Sequence, residues 1–485
     1  MTLINICLYL NKYIDIHMNQ QHGIYDFVIL GAGISGLYST YLLSRTYPNA
    51  KILILEKYKT YGGRIFTFQN SHMTVNAGAG RFHNNQNHVW KLLDELNLLQ
   101  KKIPINKSLG FARADGTTQV LYSNFEAPTN NSIFSFSNHV YDIANSELTN
   151  AGLDFIFGPH TIPNTALILQ LIIASQKYSS STLQNMTFIQ FAREILTLEQ
   201  AQFIDDSFGY SDKLHRSNAY DTILLILNNQ SPLNNFYTLK GGLGQINDKM
   251  MNIIKKNKNV SMKFLKEVLD IRVSDQNIIS VFCKNRATPF LGKSCISTLP
   301  AQALLKIPYF HFLKQPILQY IVCTPMCRIF AKYKKRDNGQ VWFHNIVKST
   351  TNNNLRMILP VDYNTGIIMI SYCDNKYAKF WKRLYDKYGS HKVHQQIIIY
   401  VRQSFGIDIN HNELIDLQLF YWDCAVGHWG VGANSSSMSD SLTQIKDDVP
   451  IYICGEQFSS TGQQWMEGAL ETTHKVVSKI TNKRL

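Results

Sequence analysis

A run rich in strand formers, Tyr25-Asp-Phe-Val-Ile-Leu30, passes directly into Gly31-Ala-Gly33-Ile-Ser-Gly36 and then into Leu37 to Arg45 at helical spacing. That order of strand, tight glycine turn and helix constrains the chain more than any other feature. Gly31 permits the turn, Gly33 lets backbone approach a pyrophosphate, and Gly36 lets helix and strand pack closely. Ile34 and Ser35 open the helix whose N-terminus can hold phosphate. A second strand-like run, Lys51 to Leu55, ends in Glu56, 20 residues past Gly36 and placed to accept from ribose hydroxyls. A glycine turn with a solvated glutamate is the bland alternative, and the acid-ended second strand makes it the weaker one. The pattern implies an α/β unit that binds a dinucleotide.

The residues that follow narrow the choice of dinucleotide. Glu56-Lys57-Tyr-Lys-Thr-Tyr-Gly-Gly63-Arg64 resembles the acid-then-Gly-Gly-Arg string of the flavin amine oxidase superfamily. Paired glycines bring backbone N–H groups towards a diphosphate, and Arg64 adds a fixed charge with a forked donor set. Near the other end, Ile451-Tyr-Ile-Cys454 leads into Gly455-Glu-Gln-Phe-Ser459 and then Gln464-Trp-Met-Glu-Gly-Ala-Leu-Glu471, which is similar to the family's C-terminal flavin motif. By that resemblance Glu456 bonds the ribityl or pyrophosphate portion of FAD. Met466 offers a backbone N–H to the flavin carbonyl at a helix N-terminus, and Trp465 faces the substrate.

Other segments resemble the family between these two. Asn76-Ala-Gly-Ala-Gly80-Arg81-Phe-His83 matches a glycine-rich turn beside the isoalloxazine ring, where amino-acid oxidases carry an arginine for the substrate carboxylate. Arg81 is therefore a candidate carboxylate anchor, with FAD contact or a structural ion pair as competing roles. Tyr237 to Ile246, with Gly241, looks like a further flavin-side segment, and Val268 matches the strand residue whose backbone pairs with adenine. Arg328 stands where the family usually places a lysine near flavin N5. The resemblance therefore leaves two options: Arg328 supplies the electrostatic part of oxygen activation, or the enzyme reacts poorly with oxygen. Trp429 matches one wall of an aromatic cage, facing Trp465. His428 occupies the position of the cysteine that tethers FAD in monoamine oxidases, which excludes a thioether tether there and implies noncovalent FAD, with a histidyl linkage as the alternative. Asp374 reads as structural, and His83, His344 and His428 are candidate bases only by elimination.

With 485 residues, 45% of them hydrophobic, the chain can build two or three domains. The expected division assigns 24–95, 230–300 and 415–485 to a discontinuous Rossmann-like FAD-binding domain. Residues 96–229 and 301–414 form a mixed α+β substrate-binding domain, and 1–23 an N-terminal tail. Helices are expected at Asn87 to Leu98, Thr165 to Tyr178 and Phe188 to Ala201. The eight cysteines show neither C-x-x-C spacing nor histidine companions, so no metal site or disulfide framework is expected, and a reducing, intracellular, cytoplasmic setting fits. A signal peptide and a membrane-spanning run are both missing. The net charge of +14 is spread along the chain and gives no strong nucleic-acid signal; nothing in the sequence bears on oligomeric state.

The resulting expectation is an FAD-dependent oxidase that takes a hydride from the carbon next to an amine, acting on an amino acid, small amine or polyamine, with O2 reduced to peroxide. Alternatives are another flavin oxidoreductase of the superfamily, or a flavin-bearing chromatin or nucleic-acid interaction protein.

Overall fold

The computed structural model describes residues 23–105, 109–112, 119–122, 165–229 and 234–482. The expected N-terminal tail, much of the segment between 106 and 164, and the Lys-Arg-Leu485 terminus lie outside these residues.

The strand-like runs at Tyr25–Leu30 and Ile52–Leu55 pair in parallel, and Val28, Ile29, Leu30 and all four residues of the second run are buried. Continuous apolar runs of this kind belong inside a sheet covered on both faces. Seven strands make up that sheet, in the order Val260–Lys263, Ile52–Leu55, Tyr25–Leu30, Phe290–Ser297, Ile279–Cys283, Val268–Val273, with Ile451–Ile453 also paired to Phe290–Ser297. Three stretches far apart in sequence thus build one sheet. The helices Ile34–Thr46, Gln245–Ile254 and Met466–Thr481 share a core on one of its sides through Leu37, Tyr41, Ile246, Met250, Met466 and Leu470.

A second sheet runs in the order Leu414–Trp429, Ile321–Tyr333, Ile367–Asp374, Met357–Asp362, Ser349–Thr351, Leu109–Ala112, Gln119–Tyr122. Its core includes Trp381, Val393, Ile397 and Val401 from the long helix Asn375–Phe405, whose regular backbone breaks at Gly389 with φ +74°. Between residues 165 and 229 the described chain is a set of six helices with its own core around Phe188, Phe191, Phe203 and Phe208. The single helix expected over Phe188 to Ala201 is in fact two, Phe188–Ile195 and Leu198–Ser207. Thr197 accepts from the Gln200 amide while the Gln200 side chain accepts from the Thr197 amide. This capping box starts a new helix where apolar periodicity alone suggests continuation.

The cysteine reading needs one correction. Cys323 and Cys424 are joined by a disulfide, with their Cα atoms 5.3 Å apart. They are 101 residues apart in sequence and meet only because Ile321–Tyr333 and Leu414–Trp429 pair side by side, which spacing cannot reveal. Cys283, Cys295, Cys327, Cys373 and Cys454 are free and buried, as small apolar residues would be.

Asp374 ends the strand Ile367–Asp374 and accepts the amides of Ser211 and Asp212 at 3.2 and 2.9 Å. Burial pushes its carboxyl up to about 7. This carboxylate ties the helical set to the second sheet, in keeping with a structural role, and fixes Tyr210 beside the strand.

Candidate active site

Each glycine of the opening motif meets a different physical demand. Gly31 adopts φ +98°, and a Cβ on Gly36 would stand 2.0 Å from the Gly31 carbonyl oxygen. Strand and helix therefore touch backbone to backbone. Around Gly33 the opposite holds: a Cβ there would meet nothing within 4 Å. Gly33 caps the helix Ile34–Thr46 without a side-chain bond, and the first turn has no acidic residue. Open space at uncapped amides on a helix N-terminus is what a pyrophosphate needs. Ser35 is buried, its hydroxyl directed at the Ala469 carbonyl.

Glu56 is nearly buried and accepts from the Ala32 amide and the Tyr58 amide, both at 2.8 Å. It therefore holds the glycine turn. Val268 opens the strand at the far end of the sheet order, two residues beyond the Lys266 amide that bonds the Glu56 carbonyl. Lys57 points outward against the Tyr58 ring. Gly63, at φ +56°, presses its loop against Gly33, and Asn247 from helix Gln245–Ile254 donates to the Gly62 and Ile65 carbonyls. The Gly241 segment thus braces the Gly-Gly-Arg loop.

The C-terminal motif closes over the same region. Arg64 Nη1 donates to Glu456 at 2.6 Å and to the Ala425 carbonyl at 2.9 Å. Glu456 is buried and also accepts the amides of Gly427 at 3.0 Å and Gln464 at 2.7 Å. All three partners are protein groups, and Glu456 thereby joins three loops. Gly455 sits at φ +144° and donates to Thr472. Trp465 caps the helix Met466–Thr481 without a side-chain bond. The Met466 amide thus opens a sixteen-residue helix whose positive end favours an electron-rich flavin carbonyl.

Trp465 keeps part of its ring open and stacks on Phe236 at 6.2 Å. The Arg81 guanidinium lies 4.7 Å from the Phe236 ring centre and 5.7 Å from that of Trp465, and the His83 ring meets Trp465 edge-on. Arg328 donates to the Asn76 carbonyl at 2.8 Å and to the Gly78 carbonyl. It also packs its guanidinium 4.3 Å from the Tyr372 ring centre. A Cβ on Gly80 would stand 3.1 Å from Arg328 Nη1. Arg328 is therefore locked against the glycine-rich turn that carries Arg81. Lys348 stands close enough to Arg81 that burial and this charge bring its ammonium down to about 7.

One expectation fails here. Trp429 does not wall a cage: its ring is 1% exposed, it donates to the Ser459 carbonyl at 2.9 Å, and it belongs to the core around Ile321, Ala433 and Phe458. A residue lining a cavity would retain surface in a structure without ligands. Phe236 takes the place beside Trp465. Among the histidines, His428 is buried, with Nδ1 held by Gln464 and burial driving it down to about 3. It stays neutral, but its ring is no exposed base. His344 is exposed and bonds the Val341 carbonyl.

Phe236, Tyr210, Tyr372 and Lys348 escaped sequence reasoning. Phe236 directly precedes the Tyr237 to Ile246 segment, and Tyr372 stands in a stretch whose Asp374 alone drew notice. None carries a motif; pairing of Arg328 with Tyr372 across adjacent strands is what reveals the group.

Fold and site together define an α/β protein built on two seven-stranded sheets, with a glycine turn braced by two distant segments and a cluster of cationic and aromatic side chains. The chain belongs to the flavin containing amine oxidoreductases, whose family model matches residues 34–481, and a flavin is accordingly its cofactor. An uncharacterized protein of Acanthamoeba polyphaga mimivirus, R188, is 22% identical over 492 residues, covering 94% of this chain and 93% of its own. Amine oxidase [flavin-containing] A from Equus caballus is 36% identical over 86 residues, 18% of this chain and 16% of that one. Among solved structures, a double mutant of putrescine oxidase superposes with a TM-score of 0.70 at 15% identity, covering 95% of this chain and 99% of that one. Cyclohexylamine oxidase from Brevibacterium oxydans does so at 0.69 and 14%, covering 95% and 99%. Among the described residues no helix is long and apolar enough to cross a membrane.

Proposed function

We propose that this chain is an FAD-dependent oxidase that acts on the carbon next to an amine nitrogen, and that its preferred substrates are amines bearing a carboxylate, such as amino acids. The observation that carries the reading is Arg81, held between Phe236 and Trp465 at the mouth of the C-terminal helix. When bound, FAD accepts the hydride and passes the electrons to oxygen, giving hydrogen peroxide. The residues fit FAD held without a covalent bond: Gly33, Ile34, Ser35 and Gly36 for the diphosphate, Glu56 for the ribose, Val268 for the adenine. Arg64 and Gly63 flank the phosphates, and the Met466 amide serves the flavin carbonyl. Trp465 and Phe236 exclude water and give the substrate an apolar wall. Arg81, with Lys348 behind it, offers a carboxylate a forked donor set. Arg328 supplies a fixed positive charge on the far side of the glycine-rich turn, where it favours negative charge developing nearby.

Anaerobic mixing with a panel of amino acids, simple amines and polyamines tests the reaction class. Amino acids are expected to bleach the oxidised flavin, and a panel in which none does so would overturn the reading. Arg81→Ala tests the substrate class separately. A charged hydrogen-bonding contact contributes about 1.5–3 kcal/mol, so kcat/KM for amino acids is expected to fall about 10- to 100-fold while simple amines change little. Equal losses for both would remove the carboxylate-anchor role.

A further inference from the structure

The second sheet turns one face to the helical set, and strand register fixes which residues stand on it. On strand Ile321–Tyr333, Cys327, Ile329, Ala331 and Tyr333 enter the core shared with helix Asn375–Phe405, so Thr324, Met326 and Arg328 turn the other way. Tyr372 lies directly across from Arg328 and bonds the Met326 sulfur at 3.9 Å, which puts it on the same face. His428 pairs with Val322 while Trp429 pairs with Ile321, so Trp429 joins the core around Ile321 and His428 stands on the face of Arg328.

Helix Ser211–Arg216 lies along this face. Tyr210, just ahead of it, packs edge-on against Tyr372 at 5.4 Å. The Asp212 carboxylate accepts from Thr324, and Ser217 bridges to Gly430. Lys213 is thereby enclosed between helix and sheet, near enough to His428 for its charge to act on the imidazole. It is 2% exposed, its ammonium lies 5.8 Å from the Phe208 ring centre, and among the described residues no carboxylate or carbonyl accepts from it. The adjacent Asp212 carboxylate is taken by Thr324, Arg216 and Asn375. His428 presents a second donor. The Gln464 amide nitrogen donates to Nδ1 at 2.6 Å, which leaves the ring hydrogen on Nε2, and Nε2 is buried without a partner among the described residues. Buried donors left unpaired are costly, so two of them on one face call for an acceptor that arrives with a ligand. Gln464 directly precedes Trp465, so the pair adjoins the ring beside which Arg81 stands.

We propose that Lys213 and His428 form a second carboxylate subsite, and that the preferred substrates are amino acids whose side chain ends in a carboxylate. The proposal rests on the amine-oxidation reading above and narrows it: Arg81 takes the carboxylate next to the amine, and the Lys213 ammonium with the His428 Nε2 hydrogen takes the distal one. A carboxylate only accepts and has lone pairs for both donors, whereas a side-chain amide brings hydrogens of its own and no charge. The electrostatics agree in sign. Burial brings the Lys213 ammonium down to about 7, as expected of a cation that no anion of the protein faces. Asp374, at the end of the adjacent strand, is turned to the Ser211 and Asp212 amides.

Two probes that cannot be oxidised test the subsite on wild-type holoenzyme: glutarate, with two carboxylates, and valerate, with one. Perturbation of the flavin absorbance is expected to show glutarate binding about 10- to 100-fold more tightly, the range for a charged hydrogen-bonding contact. Anaerobic flavin reduction should favour glutamate over glutamine by a similar factor in kcat/KM. Lys213→Met should erase both differences. Because it removes a buried charge without a partner, it should also melt higher than wild type; a lower midpoint would mark a structural cation and count against the subsite. His428→Phe, which removes the Nε2 hydrogen, should shrink both ratios and keeps the assignment testable should Lys213→Met misfold. Equal binding of glutarate and valerate by the wild type, or ratios that survive in Lys213→Met, would overturn the subsite, while oxidation of other amino acids would leave the oxidase reading intact. If no amine reduces the flavin yet tight glutarate binding still needs Lys213, the carboxylate subsite stands and the oxidase reading falls.

Discussion

Glu456→Ala is expected to destabilise the holoprotein by about 1–3 kcal/mol, the usual cost of leaving buried hydrogen-bonding groups without their partner. The carboxylate accepts from Arg64 and from the amides of Gly427 and Gln464, so it joins the Gly-Gly-Arg loop, the end of strand Leu414–Trp429 and the turn before the C-terminal helix. Its loss leaves the buried Gly427 amide and the half-buried Gln464 amide without their acceptor, and Arg64 with the Ala425 carbonyl alone. Gln464 adopts φ +71°, a strained backbone that needs such an anchor, and it directly precedes Trp465 and Met466. The variant should therefore release flavin as well as unfold earlier. Denaturation followed by flavin fluorescence measures both. Glu456→Gln, which keeps one acceptor oxygen, should recover part of the loss. A midpoint for Glu456→Ala within about 0.5 kcal/mol of wild type, the scatter of ordinary surface changes, would show that the carboxylate is no cross-link.

Gly36→Ala should lower flavin affinity by about 100-fold or more and also destabilise the apoprotein by about 1–3 kcal/mol, the range for forced overpacking. The added Cβ would stand 2.0 Å from one backbone oxygen and 3.0 Å from its carbon, and neither can yield without moving helix Ile34–Thr46 off the first strand. That movement carries the N-terminal amides away from the phosphates. Gly33→Ala separates the two effects. Gly33 has φ −73° and open space where a Cβ would go, so the apoprotein should melt as wild type does. If the diphosphate lies at Gly33 as proposed, the methyl group would occupy its place and flavin binding should be lost. Calorimetric titration of both apoproteins with FAD, beside their melting curves, decides the matter. Wild-type affinity in Gly33→Ala would place the diphosphate elsewhere.

The glycine cradle was legible because its demands are local. Gly31, Gly33 and Gly36 lie within six residues; the left-handed φ of Gly31 and the backbone contact at Gly36 exclude a side chain, while Gly33 leaves the helix N-terminus open. Helix Met466–Thr481 and strand Ile451–Ile453 were legible for a similar reason, since period and composition within one segment set them. Trp429 was misread because its identity fits a cage wall equally well as a core; which of these it becomes depends on the residues that Ile321 and Phe458 bring against it. Phe236 at the side of Trp465, the Cys323–Cys424 bond and the Arg328–Tyr372–Tyr210 group all join segments tens to hundreds of residues apart.

The sequence alone determined that the chain carries a strand, glycine turn and helix able to hold a diphosphate, because those requirements are met by neighbours along the backbone. Tertiary structure alone decided which side chains share the cavity beside it. Contacts of that kind depend on strand register and on which face of each strand turns inward, and a shift of one residue would have buried Tyr372 in another core and left Arg328 facing away.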